Sequence, residues 1–132
     1  MQIVKLDHVG IRVMEFGRTI QFYENLGFEV TREDLKERVL VMKHPSGVEL
    51  NFLDSGTEDS GGTNILMDGE ARYPGYTHFA IEVKSVGDAK KYLESMGATI
   101  TEGPVTFGDG KVSIFVRDPD SNVVEFTEVP GK

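Results

Sequence analysis

Two histidines and two glutamates, His8, Glu49, His78 and Glu125, have the residue types and the spacing to do chemistry together. His8 lies in Leu6-Asp7-His8-Val9-Gly10-Ile11-Arg12-Val13 and His78 in Tyr76-Thr77-His78-Phe79-Ala80-Ile81-Glu82-Val83. A shift of 70 residues brings the two segments into ungapped register, and it goes on to pair Gly17 with Gly87, Glu24 with Glu94 and Gly27 with Gly97. Glu49 and Glu125 each stand between apolar neighbours, Val48 and Leu50 in one case, Val124 and Phe126 in the other. A lone His on a strand is usually packed or hydrogen-bonded, and a lone Glu in an apolar strand usually faces solvent. The repeat changes that weighting, because it sets one His–Glu pair in each half at corresponding positions. Two neutral imidazoles and two carboxylates balance the charge of a divalent ion, and mixed nitrogen and oxygen ligation suits Zn, Ni, Co, Mn or Fe(II). Such an ion acts as a Lewis acid on chelating oxygens, and a carboxylate that loosens from it can serve as a general base.

Composition narrows the field around that set. The chain has 132 residues, 39% of them hydrophobic and 27% charged, which fits one globular domain of two similar halves. It contains no cysteine, so any metal is held by nitrogen and oxygen, and any sulfur in the chemistry arrives with a substrate. A net charge of −8 argues against a nucleic-acid partner, whose phosphates need a basic surface. No run approaches the ~20 apolar residues of a membrane span, and Met1-Gln2-Ile3-Val4-Lys5-Leu6-Asp7 lacks the apolar core of a signal peptide. The expectation is a cytoplasmic protein that does not engage membranes.

The elements that must position the four residues follow from periodicity. Val9, Ile11 and Val13 alternate with His8, Gly10 and Arg12, and Phe79, Ile81 and Val83 alternate with His78, Ala80 and Glu82, as in strands with one apolar face. Helical stripes follow each strand, through Phe16, Ile20, Tyr23 and Leu26 and through Val86, Ala89, Leu93 and Met96. Ser85 with Asp88 resembles a capping box, while Gly27 and Gly97 stand where left-handed caps end helices. Three further strands are expected in each half: 27–32, 38–43 and 48–53, then 98–102, 111–117 and 123–129, with turns at Pro45-Ser46-Gly47 and Asp118-Pro119-Asp120-Ser121-Asn122. The order is βαβββ twice: module one over 4–54, a linker over 55–75 holding the apolar island Ile65-Leu66-Met67, and module two over 76–129. Alternation points both histidines and both glutamates away from the helix-covered faces.

With these residues in place, the chain is identified as resembling the vicinal oxygen chelate superfamily (glyoxalase, bleomycin resistance and extradiol dioxygenase proteins). Within it the pattern is most similar to lactoylglutathione lyase, glyoxalase I. The resemblance runs from about Leu6 to Val129 and rests on the His8 and His78 segments, Gly47-Val48-Glu49-Leu50, and Arg117-Asp118-Pro119-Asp120-Ser121-Asn122-Val123-Val124-Glu125-Phe126. It implies a single α+β, glyoxalase-like domain over 1–132, its modules forming a cleft-bearing mixed sheet. It also implies one divalent metal ion held by His8, Glu49, His78 and Glu125, with Glu49 and Glu125 as candidate bases. The implied reaction converts a 2-oxoaldehyde–thiol hemithioacetal into a 2-hydroxyacyl thioester through an enediolate, as in methylglyoxal detoxification.

Arg12 occupies the place where bacterial members hold a glutathione carboxylate. Asn51 shares the face of Glu49 but comes one strand repeat earlier than the substrate-binding Asn of similar enzymes. Other reactions of the superfamily stay open: extradiol-type dioxygenase, epimerase, antibiotic-modifying thiol transferase, or metal-free drug binding. A dioxygenase would want a further His near the substrate, and His44 is expected instead to cap the Pro45 turn. A thiol transferase would want a basic pocket, for which Lys111 and Arg117 are the candidates; a drug-binding cleft would use aromatics such as Tyr73, Phe107 and Phe115. Members of the superfamily often form homodimers, so the site lies either within one chain or across two.

Overall fold

The computed structural model describes residues 1–131, in two compact units, Met1–Asp59 and the described residues from Ser60 onward. The first unit contains β1 (Val9–Arg12), α1 (Phe16–Asn25), β2 (Glu29–Asp34), β3 (Val39–Lys43) and β4 (Glu49–Leu53). The second repeats the order with β5 (His78–Glu82), α2 (Val86–Ser95), β6 (Ile100–Thr106), β7 (Val112–Arg117) and β8 (Val123–Glu128). This is the expected α+β arrangement of two βαβββ modules. Each unit holds its own four-stranded mixed sheet, ordered β1-β4-β3-β2 in one and β5-β8-β7-β6 in the other. In both, the first strand lies parallel to the last and the remaining pairings are antiparallel.

Apolar alternation decides which face of each sheet its helix covers. Leu50 and Phe52 on β4 are fully buried, while Glu49, Asn51 and Leu53 between them are half-exposed. Tyr23 of α1 packs its ring 4.9 Å from Phe52 and 5.8 Å from Phe28, all three being buried. Burying side chains of this size contributes about 1.5–3 kcal/mol apiece, which is what holds so short a helix on its sheet. In the second unit Val86 and Leu93 of α2 are buried together with Ile114, Val116, Val124 and Phe126. The helix ends obey their local signals. Ser85 accepts a hydrogen bond from the Asp88 backbone N–H, and Gly27 and Gly97 take the left-handed φ of 96° and 85°. The stripe of α1 differs in one place from expectation: Thr19, whose hydroxyl donates to the Glu15 carbonyl, is fully buried, and Phe16 and Ile20 are half-buried.

Residues 54–77 contain turns and bends but no helix or strand. Their first part belongs to the first unit, where the Gly56 N–H donates to the Val13 carbonyl and Arg18 pairs with Asp59. Their remainder is tied to the second unit by polar contacts: the Asn64 amide donates to the Ser121 carbonyl, and Arg117 makes two bonds, 2.7 and 2.9 Å long, to Asp68. Within the apolar island, Ile65 stays exposed while Leu66 and Met67 are half-buried. No helix among the described residues is long and apolar enough to cross a membrane.

Candidate functional site

The more complete half of the candidate site is in the second unit. His78 opens β5 and Glu125 lies on the parallel neighbour β8, in the register Ala80↔Glu125. The His78 Nε2 is 2.8 Å from Glu125 Oε1, and the Glu125 side chain is only 13% exposed. The other oxygen, Oε2, accepts a 2.7 Å hydrogen bond from the hydroxyl of Ser113, a fully buried residue of β7. His78 Nδ1 lies 2.8 Å from Thr77 Oγ1, and the Phe115 ring stands edge-on at 5.6 Å. When Nε2–H donates to the carboxylate, a neutral ring leaves Nδ1 to accept from the threonine hydroxyl. Both members of the pair are thus oriented by a neighbouring hydroxyl, which is how ligand side chains are commonly held in place.

The first unit is built differently. His8 precedes β1, is exposed, and its Nδ1–H donates to Asp7 Oδ2 at 2.8 Å. That bond, helped by the charges of Lys5 and Lys43, holds the Asp7 carboxyl below its ordinary range. With Nδ1 committed as a donor, Nε2 of the neutral ring keeps its lone pair for another partner. Glu49, at the start of β4, pairs with Lys43 at 3.5 Å. Asp7, His8 and Glu49 each offer one ligand atom, and these atoms lie within 4.8 Å of one another.

The strand registers overturn the expected equivalence of Glu49 and Glu125. In the first unit Val9 pairs with Leu50 and Gly10 with Asn51; in the second Phe79 pairs with Val124 and Ala80 with Glu125. Aligning His8 with His78 therefore matches Glu125 to Asn51 and leaves Glu49 opposite Val123. The two hairpins agree, closing from His44 N–H to the Val48 carbonyl and from Asp118 N–H to the Asn122 carbonyl. The same register matches Ser113 (opposite Thr127) to Val39 (opposite Leu53). Where the second unit has a hydroxyl beside a carboxylate, the first has Val39 beside an amide. Asn51 Oδ1 is accordingly buried with no hydrogen-bond partner among the described residues. The physical reason for the mismatch is that a two-residue step along a strand preserves the face, so alternation cannot detect it.

The remaining residues singled out from the sequence have simple placements. Arg12 is exposed, and its Nε donates to Ser55 Oγ at 3.0 Å. His44 caps its turn as expected, Nδ1 accepting from the Ser46 N–H at 3.0 Å while the ring packs against Phe28. Lys111 and Arg117 do not make a free basic pair. Lys111 lies before β7, 3.8 Å from Asp109, and Arg117 is engaged by Asp68, whose hydrogen bond pushes the guanidinium's pKa up. Of the aromatics, Phe115 is buried beside His78, whereas Tyr73 and Phe107 are exposed. Asp7, Thr77 and Ser113 escaped the sequence reading. Ser113 alone left a visible signal there, as a polar residue inside the apolar run Val112-Ser113-Ile114-Phe115-Val116.

Imidazole nitrogen with carboxylate or amide oxygen, and no thiolate, is a donor chemistry that fits a divalent ion of borderline hardness. The close approach of His78 to Glu125, and of His8 to Asp7 and Glu49, meets that requirement inside each unit separately. The family described as the Glyoxalase/Bleomycin resistance protein/Dioxygenase superfamily matches residues 5–126. Among curated proteins, the chain is 29% identical to the glyoxalase domain-containing protein RDO1 of Mycosarcoma maydis, over 96% of this chain and 69% of that protein. It is 34% identical to a putative lactoylglutathione lyase of Brassica oleracea var. gemmifera over 92% of this chain, which spans only 43% of that relative's length. Among solved structures, a glyoxalase family protein from Enterococcus faecalis superposes with a TM-score of 0.74 at 27% identity, covering 94% of this chain and 97% of that one.

Proposed function

The chain belongs to the glyoxalase/bleomycin resistance protein/dioxygenase superfamily, and from that premise we propose a metal-dependent enzyme that isomerises a small oxygen-chelating substrate. The reaction proposed is the glyoxalase type, taking the hemithioacetal of a 2-oxoaldehyde and a thiol to a 2-hydroxyacyl thioester. The observation that carries this reading is the His78–Glu125 pair, at 2.8 Å, with Ser113 holding the second carboxylate oxygen. His78 and Glu125 supply ligands from the second unit. The first unit offers a set of the same kind, His8 with an oxygen from β4, where Glu49 and Asn51 both stand on the face away from α1. When bound, a divalent ion would polarise the substrate's adjacent oxygens as a Lewis acid.

The protein's own groups then handle the proton. Glu125 takes it from the carbon that bears the hydroxyl and the sulfur and returns it to the neighbouring carbonyl carbon, while the hydroxyl proton passes to the former carbonyl oxygen. One carbon is oxidised and its neighbour reduced, so no outside reagent enters the balance. Ser113 keeps Glu125 in one rotamer through Oε2, which leaves Oε1 as the oxygen that exchanges partners. Arg12, exposed on the face of His8, is the candidate to meet an anionic group of the substrate.

The test is elemental analysis of protein purified without chelator, followed by thioester formation from methylglyoxal with glutathione and with other thiols. Stoichiometric divalent metal and a thioester product that chelator abolishes are the expected results. Metal without thioester from any thiol would remove the lyase reading, and turnover of a catechol in the same preparation would replace it with dioxygenase chemistry.

A further inference from the structure

We infer that the oxygen donor accompanying His8 in the first unit is the side-chain amide of Asn51, and that Glu49 is not a metal ligand. This inference rests on the metal-dependent reading above and deepens it. Three independent features of the first unit point the same way.

The first is register. Gly10 lies opposite Asn51 as Ala80 lies opposite Glu125, so the backbone presents residue 51 relative to His8 as it presents residue 125 relative to His78. His78 and Glu125 are in direct contact at 2.8 Å, which shows that this presentation brings a β-strand oxygen to the imidazole two residues upstream of its pairing partner.

The second is the state of the oxygen. Asn51 Oδ1 is buried without a hydrogen-bond partner among the described residues. A buried unsatisfied acceptor costs about 1–3 kcal/mol, a penalty that persists only where something outside the chain satisfies it or a function requires it. The cause is local, since the position that provides the Ser113 hydroxyl in the second unit is filled by Val39 in the first. Glu49 has no such unpaired oxygen to explain: although one of its oxygens lies within 4.8 Å of ligand atoms of Asp7 and His8, its carboxylate already has Lys43 at 3.5 Å.

The third is charge. An amide oxygen binds cations as a neutral donor. With Asn51 in place of Glu49, the first unit offers an ion one imidazole and one neutral oxygen, and so one negative charge fewer than a carboxylate would bring. A site so charged favours a substrate that chelates as a singly charged oxygen anion over one that chelates as a neutral carbonyl and hydroxyl. The aspartate bonded to His8 strengthens that histidine as a donor without itself being needed as a ligand.

The experiment is a titration of chelator-stripped protein with Co(II) alone, followed by calorimetry and by the visible absorption of the bound ion. Asn51→Ala should weaken Co(II) binding by at least about tenfold and change the absorption envelope, because one oxygen leaves the ion. Asn51→Glu should strengthen it by about tenfold or more, since a charged oxygen replaces a neutral one. Glu49→Gln should stay within about threefold of the unsubstituted chain, as expected for the loss of a partly exposed ion pair. Asn51→Glu is a gain of binding, so a loss of fold in Asn51→Ala would not obscure the result. Loss of binding in Glu49→Gln with no gain in Asn51→Glu overturns the assignment and leaves the metal-dependent reading standing. Failure of the unsubstituted chain to bind Co(II) at millimolar concentration overturns both.

Discussion

The two units share an order of elements, the same strand order within each sheet, and a histidine at the corresponding place, yet their polar groups are arranged to different ends. In the second, four side chains form a continuous chain of three contacts, Thr77 to His78 to Glu125 to Ser113. In the first, the equivalent places hold Asp7, His8, Asn51 and Val39, and the chain of contacts stops after His8. Repeating a fold repeats backbone positions, but each copy decides separately which polar atoms are satisfied internally and which are left for a ligand. The second unit has a preorganised acid–base pair, and the first has a histidine oriented by a carboxylate and an oxygen left unpaired.

If that asymmetry is functional, the largest effect should come from the second unit. Glu125→Gln keeps the shape but removes the charge and the basicity, and should lower thioester formation at least about 100-fold, the usual scale for loss of a positioned base. Glu49→Gln should lower it by less than about fivefold, because Glu49 has no internal counterpart and faces Lys43 near the surface. Equal losses in steady-state kinetics of the two variants would make the two glutamates equivalent and end the comparison.

The sequence already contained most of what positions these residues. Apolar alternation at Val9, Ile11 and Val13 and at Phe79 and Ile81 located the first strands, Ser85 with Asp88 marked a helix start, and Gly27 and Gly97 marked two helix ends. These are local signals, each confined to a few neighbouring residues. The pairing of Glu49 with Glu125 failed because it is a statement about register along β4 and β8. Register depends on where the two hairpins close, at His44–Val48 and Asp118–Asn122, and a strand set two residues off in the reading moves every match while keeping every face. Asp7 and Thr77 were hidden for another reason. Contact between adjacent residues depends on rotamers and on the bend where the chain enters the strand, neither of which has a sequence period. Ser113 was legible as an anomaly, though its partner, twelve residues on across a hairpin, was not.

A smaller and sharper test exchanges a residue between the units. Ser113→Val installs in the second unit what Val39 provides in the first and leaves Glu125 Oε2 without its donor. Stability should fall by about 1–3 kcal/mol, the range for a buried polar group that loses its partner. Metal affinity should fall about 10- to 100-fold, the usual consequence of removing an outer hydrogen bond to a ligand. Ser113→Thr, nearly the same volume as valine with the hydroxyl restored, should recover the affinity. If valine and threonine behave alike by thermal melting and metal titration, the hydroxyl is packing material and the contrast between the units is only one of size.

The smallest expected effect concerns how the loop 60–77 is held to the second unit, and it appears only in acid. Asp68 accepts two hydrogen bonds from Arg117 and one from the Asn64 backbone, and those to Arg117 lead in lowering its pKa to about 2. A carboxyl whose folded pKa is depressed contributes stability that is fully present above its unfolded value, about 4, and lost as pH falls through the folded one. The contact should therefore persist through pH 4 and 3 and fail near pH 2. Because Asp68 is exposed, the effect on global stability is screened, and the readout has to be local. Hydrogen exchange of the Asn64, Leu66 and Met67 amides, whose N–H groups donate to Asp68 or to Asn64 Oδ1, reports it directly. Protection should hold to about pH 3 in the unsubstituted chain, after correction for the intrinsic exchange rate. In Asp68→Asn, which cannot accept the paired guanidinium bonds as an anion, protection should be lower at neutral pH and should not change between pH 4 and 2. Equal protection in both chains across that range would mean that the loop is held by Asn64 and Ser121 alone, and that the Arg117–Asp68 pair does no more than occupy a cation on the surface of β7.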